Sequence, residues 1–154
     1  MNEIFKGYYS SPIGIIEVSA DNQGITSLYF VDALGISENN DLISKCLTQL
    51  DEYFKGFRKD FEITLSYKFG TEFQHKVWNA LKNIPYGNTC SYKDIAIAIG
   101  NEKAVRAVGG ANNKNPLSII IPCHRVVGMN GKLVGYGGGL WRKEWLLEHE
   151  SKNK

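Results

Sequence analysis

The side chain best suited to covalent chemistry is Cys123, which stands next to His124 and Arg125, directly after the aliphatic run 117–121 and Pro122. A cysteine reacts as its thiolate, and a neighbouring imidazole that takes the thiol proton is the usual activator. A carboxylate behind the imidazole would fix its tautomer. Adjacent side chains on a strand point to opposite faces, so direct contact within the pair does not follow from the sequence, and a bridging water would relieve that constraint. The sequence therefore indicates a nucleophilic thiol without showing what it attacks.

Composition is typical of a globular protein. The chain has 154 residues, of which 43% are hydrophobic and 22% charged, enough for one ordinary domain or two small ones. No apolar run approaches the ~20 residues that span a bilayer, and the first residues lack the pattern of a secretory signal, so we expect a cytoplasmic protein. Cys46, Cys90 and Cys123 form no C-x-x-C pair, which disfavours a disulfide scaffold or zinc site. We expect Cys46 and Cys90 to be structural.

Charge divides the chain near residue 68. Residues 1–68 carry six Lys and Arg against ten Asp and Glu, whereas residues 69–154 carry twelve against six. This asymmetry predicts two domains with different tasks, the basic one facing a polyanion. The alternative, that the basic residues only solvate the surface, stays open on charge alone.

The acidic part has the pattern of strands and one helix. Strands at 14–18 and 25–30 flank a turn at 21–24. Apolar residues at helical spacing predict a helix over about 40–55, and alternation over 61–67 predicts a half-buried strand. The sequence predicts a small α/β domain here and no catalytic residue in it.

The basic part begins with helices. Thr71 and Gln74 have capping-box spacing and open the first helix. Ser91 opens a second helix that runs to Ile99, and Asn101 is expected to cap a third over about 102–112. Two short helices joined across a glycine turn are typical of a helix-turn-helix.

Small residues make the third helix slim, namely Ala104, Ala107, Gly109 and Gly110. A slim helix can approach another surface closely, although small residues also permit close packing in a core. Beyond it, the run 117–121 predicts a buried strand, 135–139 a glycine loop that a ligand can approach, and about 140–150 a terminal helix.

The segment Ile121-Pro122-Cys123-His124-Arg125-Val126-Val127 resembles the active-site signature of the O6-alkylguanine-DNA alkyltransferases. Further segments resemble the same family in order and spacing: 106–111, 115–116, 136–138 and 143–150. The resemblance implies an α+β fold. An N-terminal RNase H-like α/β support domain would span 1–68, and a winged-helix-like domain with a helix-turn-helix, which binds DNA and accepts the alkyl group, would span 69–154.

The resemblance also implies a role for each member of a catalytic set. Cys123 would accept the alkyl group from O6 of guanine, or from O4-alkylthymine, and the resulting thioether could not be displaced by water. His124 would act as base through a water, oriented by Glu150. Tyr92 would donate a proton toward N3 of the departing guanine, and Asn115 would tie the helix-turn-helix to the segment bearing the thiol. From the residues alone, Glu150 is a solvated helix end and Asn115 a turn residue before proline.

O6 of guanine lies inside the duplex, so the nucleotide must be extruded. Arg106 would fill the space left in the base stack, and the slim helix would enter the minor groove with little sequence specificity. The residues implied to contact DNA are Arg106, Ala104, Ala107, Gly109, Gly110 and Ser91. Those implied to form the base pocket are Tyr136, Gly137, Gly138 and Val126, with backbone carbonyls near Cys123 and Val126 reading the exocyclic amine.

Two positions depart from the common family pattern. Gly137 stands where serine is frequent and Asn112 where an apolar residue is frequent, which implies a more open and more polar pocket. Some members hold zinc in the N-terminal domain, but residues 1–68 contain one Cys and no His. We therefore expect no metal, no cofactor and a monomer acting on double-stranded DNA.

Three other functions compete with this hypothesis. Alkyltransferase-like lesion sensors have tryptophan at the cysteine position, so Cys123 disfavours that class. A helix-turn-helix regulator would leave Cys123, Tyr92 and Glu150 unexplained. A cysteine hydrolase would need an oxyanion signature that the sequence lacks.

Overall fold

The computed structural model describes residues 3–154. The chain divides into two compact units, the first ending at Lys68 and the second running from Phe69 to Lys154. The first unit combines one sheet with one helix and the second is mainly helical, so the predicted α+β class is confirmed. Among residues 3–154, no helix is long and apolar enough to cross a membrane.

The first unit is built on an antiparallel sheet in the order β1-β2-β3. The strands are β1 (Phe5–Ser11), β2 (Gly14–Ala20) and β3 (Ile25–Val31). The Asp21 carboxylate stabilises the turn between β2 and β3 by accepting from the N–H groups of Gln23 at 2.7 Å and Gly24 at 2.9 Å. The predicted hairpin is confirmed. The sequence did not predict β1. Gly7 is the one buried residue of this strand, so the strand shows no alternation of apolar and polar side chains.

Helix α1 (Asp41–Phe54) packs against this sheet and confirms the predicted helix. The Asn40 side chain caps it by accepting from the Ile43 N–H at 2.9 Å. Its buried face includes Cys46 and Leu50, and each fully buried aliphatic side chain contributes about 1.5–3 kcal/mol. Burial raises the pKa of Cys46 to about 12, which keeps this thiol unreactive, as predicted.

The predicted strand over 61–67 is wrong. Only an isolated bridge between Ile25 and Leu65 forms there. The side chain of Gln49 takes the place of a neighbouring strand, because its Nε2 donates to the Glu62 carbonyl at 3.2 Å and its Oε1 accepts from the Glu62 N–H at 2.9 Å. The Gln49 amide thus satisfies the backbone N–H and C=O of Glu62, which the alternating pattern assigned to a strand ladder.

The second unit holds four helices and a two-stranded parallel sheet. The helices are α2 (Glu72–Leu81), α3 (Tyr92–Ala98), α4 (Val105–Asn113) and α5 (Leu140–Lys152), and the strands are β4 (Cys90–Ser91) and β5 (Val126–Val127). Both expected capping boxes are present, at Thr71 and at Ser91. Helices α3 and α4 form the predicted helix-turn-helix, and the Trp78 indole on α2 anchors α4 by donating to the Ala111 carbonyl at 2.9 Å.

Two local predictions in this unit are wrong. Helix α4 has Ala104 at its N-cap and no side-chain cap, and the backbone carbonyl of Asn101 closes the preceding turn by accepting from the Ala104 N–H at 3.0 Å. The run 117–121 is not a strand, and Ile119 lies in the left-handed region with φ 74°. The Asn115 side chain holds this bend by donating to the Ile121 carbonyl at 2.8 Å and accepting from the Leu117 N–H at 2.9 Å.

Candidate active site

Cys123 begins a 3-10 turn, Cys123–Arg125, that follows Pro122 and leads into β5. The expected strand end is therefore a turn, in which successive side chains are about 120° apart instead of on opposite faces. Cys123, His124 and Arg125 are all buried. The turn places three chemically active side chains inside the second unit.

His124 is paired with the carboxylate predicted for it. Its Nε2 lies 2.7 Å from Glu150 Oε2, and the two side chains are 0% and 1% exposed. Because the carboxylate only accepts, the ring carries its proton on Nε2, which leaves Nδ1 as an acceptor with no hydrogen-bond partner among the described residues. Burial lowers the pKa of His124 more than Glu150 raises it, so the imidazole is neutral. The ring is ready to accept a proton.

Arg125 is the second partner of Glu150. Its Nε donates to Glu150 Oε1 at 2.8 Å and its Nη2 donates to Glu150 Oε2 at 3.0 Å. Its Nη1 donates to the Ile84 carbonyl at 2.7 Å. Burial alone would raise the pKa of Glu150, but His124 and Arg125 together hold it well below its ordinary value. Sequence reasoning assigned Arg125 no role, since an arginine is ordinarily a surface residue.

The Cys123 thiol is protonated at rest. Burial raises its pKa, and the Asn115 amide and the Lys143 charge offset only part of that rise. The thiol therefore needs a base when it reacts, and His124 is its chain neighbour.

Lys143 is a buried cation that sequence reasoning missed. Its side chain is fully buried in α5, and Nζ donates to the carbonyls of Val134 at 2.9 Å and Gly135 at 3.1 Å. Burial lowers the pKa of Lys143 to about 8, with the Cys123 thiolate acting in the opposite direction. Only the family-like segment at 143–150 could have drawn attention to it.

Side chains hold the glycine loop in place. The Tyr92 hydroxyl donates to the Val134 carbonyl at 2.9 Å, and Arg142 donates to the Gly138 carbonyl at 2.9 Å. The Tyr136 hydroxyl is buried, and this burial raises its pKa well above 10. The Cys123 charge adds a smaller rise. Tyr92 and Tyr136 are thus both within electrostatic reach of the thiol.

The residues expected to contact DNA lie on and beside α4. Arg106, Ala107 and Gly110 are exposed, while Ala104 and Gly109 are half-buried. A Cβ added at Gly109 would contact the Tyr92 ring at 4.0 Å. Ser91 is committed to capping α3, where its hydroxyl accepts from the Asp94 N–H at 3.0 Å.

One expected position of the base pocket, Val126, belongs to the strand that follows the turn. Val126 is buried in β5, where it pairs with Cys90.

Within residues 3–154, no group of three or more His, Cys, Asp or Glu side chains is placed to hold a metal ion.

Comparison with known proteins gives one consistent family. The family model of the 6-O-methylguanine DNA methyltransferase DNA binding domain matches residues 72–152, and that of the ribonuclease-like domain of the same proteins matches residues 4–67. The methylated-DNA–protein-cysteine methyltransferase of Methanosarcina acetivorans is 47% identical over 154 residues, covering 96% of this chain and 98% of that protein. The Mycolicibacterium paratuberculosis protein of the same name is 46% identical, with coverage of 93% and 90%.

Solved structures agree with this. The crystal structure of the Mycobacterium tuberculosis O6-methylguanine methyltransferase matches with a TM-score of 0.89 and 40% identity, covering 99% of this chain and 95% of that one. A second structure of that protein, in complex with DNA, matches with a TM-score of 0.87 and 43% identity over 95% and 92% of the chains. The two matched domains and the names of the relatives define a class of methyltransferases that act on methylated DNA. This chain belongs to the 6-O-methylguanine DNA methyltransferase family.

The variant Glu150→Gln should be destabilised by about 3–5 kcal/mol, because it leaves the buried Arg125 without a counter-charge. The carboxyl pKa of Glu150 is lowered by folding, so its contribution to stability is complete above the ordinary value of 4.5 and is lost as the pH falls below it. Denaturant unfolding between about pH 7 and pH 3 should therefore show a shallower acid limb in this variant. Glu148→Gln, at an exposed position of the same helix, is the control and should match the parent.

The variant Lys143→Met should slow alkylation of Cys123 by a small alkyl halide at neutral pH, by about tenfold. It removes the charge that favours the thiolate and keeps the length of the side chain. The measurement is the rate of modification of the Cys123 peptide by mass spectrometry across a pH series, and the rate profile should move to higher pH. Lys152→Met, at an exposed position of α5, should leave the profile in place, and an unmoved profile in Lys143→Met would contradict the assignment.

Proposed function

We propose that this protein repairs DNA by transferring the alkyl group of O6-alkylguanine, and of O4-alkylthymine, to Cys123 in a single irreversible turnover. The observation that carries the proposal is the buried Cys123 thiol, followed in the chain by a neutral imidazole whose Nε2 lies 2.7 Å from Glu150 and whose Nδ1 has no hydrogen-bond partner among the described residues. Family membership supplies the substrate class, since the relatives are named for methylated DNA. No cofactor enters the reaction.

The proposed step balances within the site. His124 Nδ1 takes the thiol proton through a bridging water, and the sulfur attacks the alkyl carbon as the bond from that carbon to O6 breaks. A proton that Tyr92 donates at N3 neutralises the departing guanine anion, which leaves a tyrosinate and the His124 imidazolium with opposite charges. The imidazolium formed is stabilised by Glu150, whose pKa is already held low. Water cannot displace the thioether that forms, so each protein molecule reacts only once.

Helix α4 is the proposed DNA-docking element. A Cβ added at Gly110 would find nothing within 4 Å, so packing inside this unit does not require a glycine there. That supports the alternative reason for a small residue, close approach to a narrow groove of about 6 Å. Arg106, exposed on the same helix, would fill the stack after extrusion, and Ala104, Ala107, Gly109 and Ser91 would complete the contact. Phosphate and groove contacts of this kind carry little sequence information.

The extruded base would enter beside the glycine loop, against Tyr136, Gly137, Gly138 and Val126. Asn115 would act indirectly, by holding the bend that ends at Cys123. The Tyr92 hydroxyl must leave the Val134 carbonyl before it can protonate the base. We place this activity in a monomer in the cytoplasm. A sensor or a regulator would not need the buried thiol, imidazole and carboxylate.

Cys123→Ser should abolish alkyl transfer and leave binding to DNA intact, because the substitution removes the nucleophile and little volume. The parent should gain the mass of one methyl group, mapped to the Cys123 peptide, after incubation with duplex DNA containing O6-methylguanine. Cys46→Ser and Cys90→Ser are the matched controls and should both still gain one methyl. A methyl group found on Cys46 or Cys90 would overturn the proposal.

Arg106→Ala should slow repair in duplex DNA by about tenfold to a hundredfold, since extrusion costs a few kcal/mol and the arginine offsets part of that cost. The reaction with free O6-methylguanine base needs no extrusion and should change less than about twofold. Single-turnover rates on both substrates give the comparison, and Lys45→Ala, an exposed position of α1, controls for lost charge. Equal slowing on both substrates would rule out the stack-filling role.

A further inference from the structure

Three consecutive glycines, Gly137 to Gly139, end the loop that forms one wall of the proposed base pocket. Glycine has more backbone freedom than any other residue, so this half of the loop depends on outside contacts to keep one position. A Cβ added at Gly137 would meet the backbone oxygen of Asn113 at 3.9 Å and nothing nearer among the described residues. Packing at Gly137 therefore leaves the wall room to move.

The first turn of α5 grips this half of the loop. Arg142 donates from Nη1 to the Gly138 carbonyl at 2.9 Å, and its guanidinium carbon lies 4.6 Å from the centre of the Trp141 ring. The Trp141 ring also lies against the loop, since its Cδ1 is 3.3 Å from the place of a Cβ on Gly139. A planar guanidinium that is stacked on an indole loses less freedom when it makes its hydrogen bond. Trp141 thus holds Arg142 where it can bind the loop.

This grip lies near the reacting groups. Tyr136 directly precedes the three glycines, and its hydroxyl is buried. Burial raises the pKa of Tyr136, the Cys123 charge adds to that rise, and the Arg142 charge opposes it. Arg142 and Cys123 are therefore both within electrostatic reach of the same ring.

In the proposed alkyl transfer, the group on O6 must reach the Cys123 sulfur while the base lies against the glycine loop. A bulky group requires the wall to move, which breaks the bond from Arg142 to the Gly138 carbonyl, whereas a methyl group leaves it intact. A hydrogen bond from a charged donor is among the stronger kinds. We propose that Arg142, stacked on Trp141, is a positioning residue that fixes this wall and favours small over bulky alkyl groups. This inference rests on the proposed alkyl transfer.

The test compares single-turnover transfer from O6-methylguanine and from O6-benzylguanine in the same duplex. Arg142→Met keeps most of the side-chain length and removes the donor. It should raise the ratio of benzyl rate to methyl rate about fivefold, because the charged hydrogen bond no longer holds the wall. The intrinsic reactivities of the two alkyl groups are the same for every variant and cancel from the comparison. Glu144→Gln, at an exposed position of α5, should keep the ratio of the parent.

Two further variants test the grip in other ways. Trp141 is 57% exposed, so Trp141→Ala should fold, and it should raise the same ratio about twofold by removing the platform under the guanidinium. Gly137 has room for a side chain and no left-handed backbone conformation. Adding Gly137→Ser to Arg142→Met restricts the loop backbone and should bring the ratio part of the way back to that of the parent.

Each outcome decides the inference. A residue that only stabilises the fold would slow both transfers equally, so an unchanged ratio in Arg142→Met overturns the proposal. If that variant does not fold, Trp141→Ala decides, and an unchanged ratio there overturns it. A ratio that Gly137→Ser fails to lower also contradicts the role of the wall. If the parent transfers neither alkyl group, the proposed function itself fails.

Discussion

The arrangement of the second unit depends on one buried carboxylate. Glu150 near the end of α5 accepts hydrogen bonds from both His124 and Arg125, and it can stay ionised there only because both are present. Helix α5 must therefore keep a fixed position against the reactive turn. The same contact sets the imidazole tautomer and leaves its second nitrogen basic. The buried Glu150 carboxylate therefore both stabilises the fold and prepares the imidazole to act as a base.

The thiol itself is kept in a resting state. Burial raises its pKa, and the groups that partly offset this rise, the Asn115 amide first and the Lys143 charge second, are held in place by the fold. The base is already in place, since His124 is held neutral by the same fold. The thiol therefore stays neutral until its proton passes to this imidazole.

The sequence predicts what local rules decide and misses what tertiary contacts decide. Capping residues such as Thr71 and Ser91 locate helix starts, because a cap acts within one turn. The bend at 117–121 was missed because an aliphatic run has no period and the deciding contact is the Asn115 amide. Within the site, Cys123, His124 and Glu150 followed from the family signature. Arg125 and Lys143 did not, because burial of a charge depends on partners distant in sequence.

The hydroxyl of Tyr92 has one hydrogen to give, and at rest it gives it to the loop carbonyl of Val134. Binding the loop carbonyl and, in the proposed reaction, protonating the departing purine are therefore mutually exclusive uses of the same hydrogen. Under that mechanism the phenol becomes available as an acid only after its bond to Val134 breaks. The last proton transfer would thus be coupled to a local rearrangement of the loop.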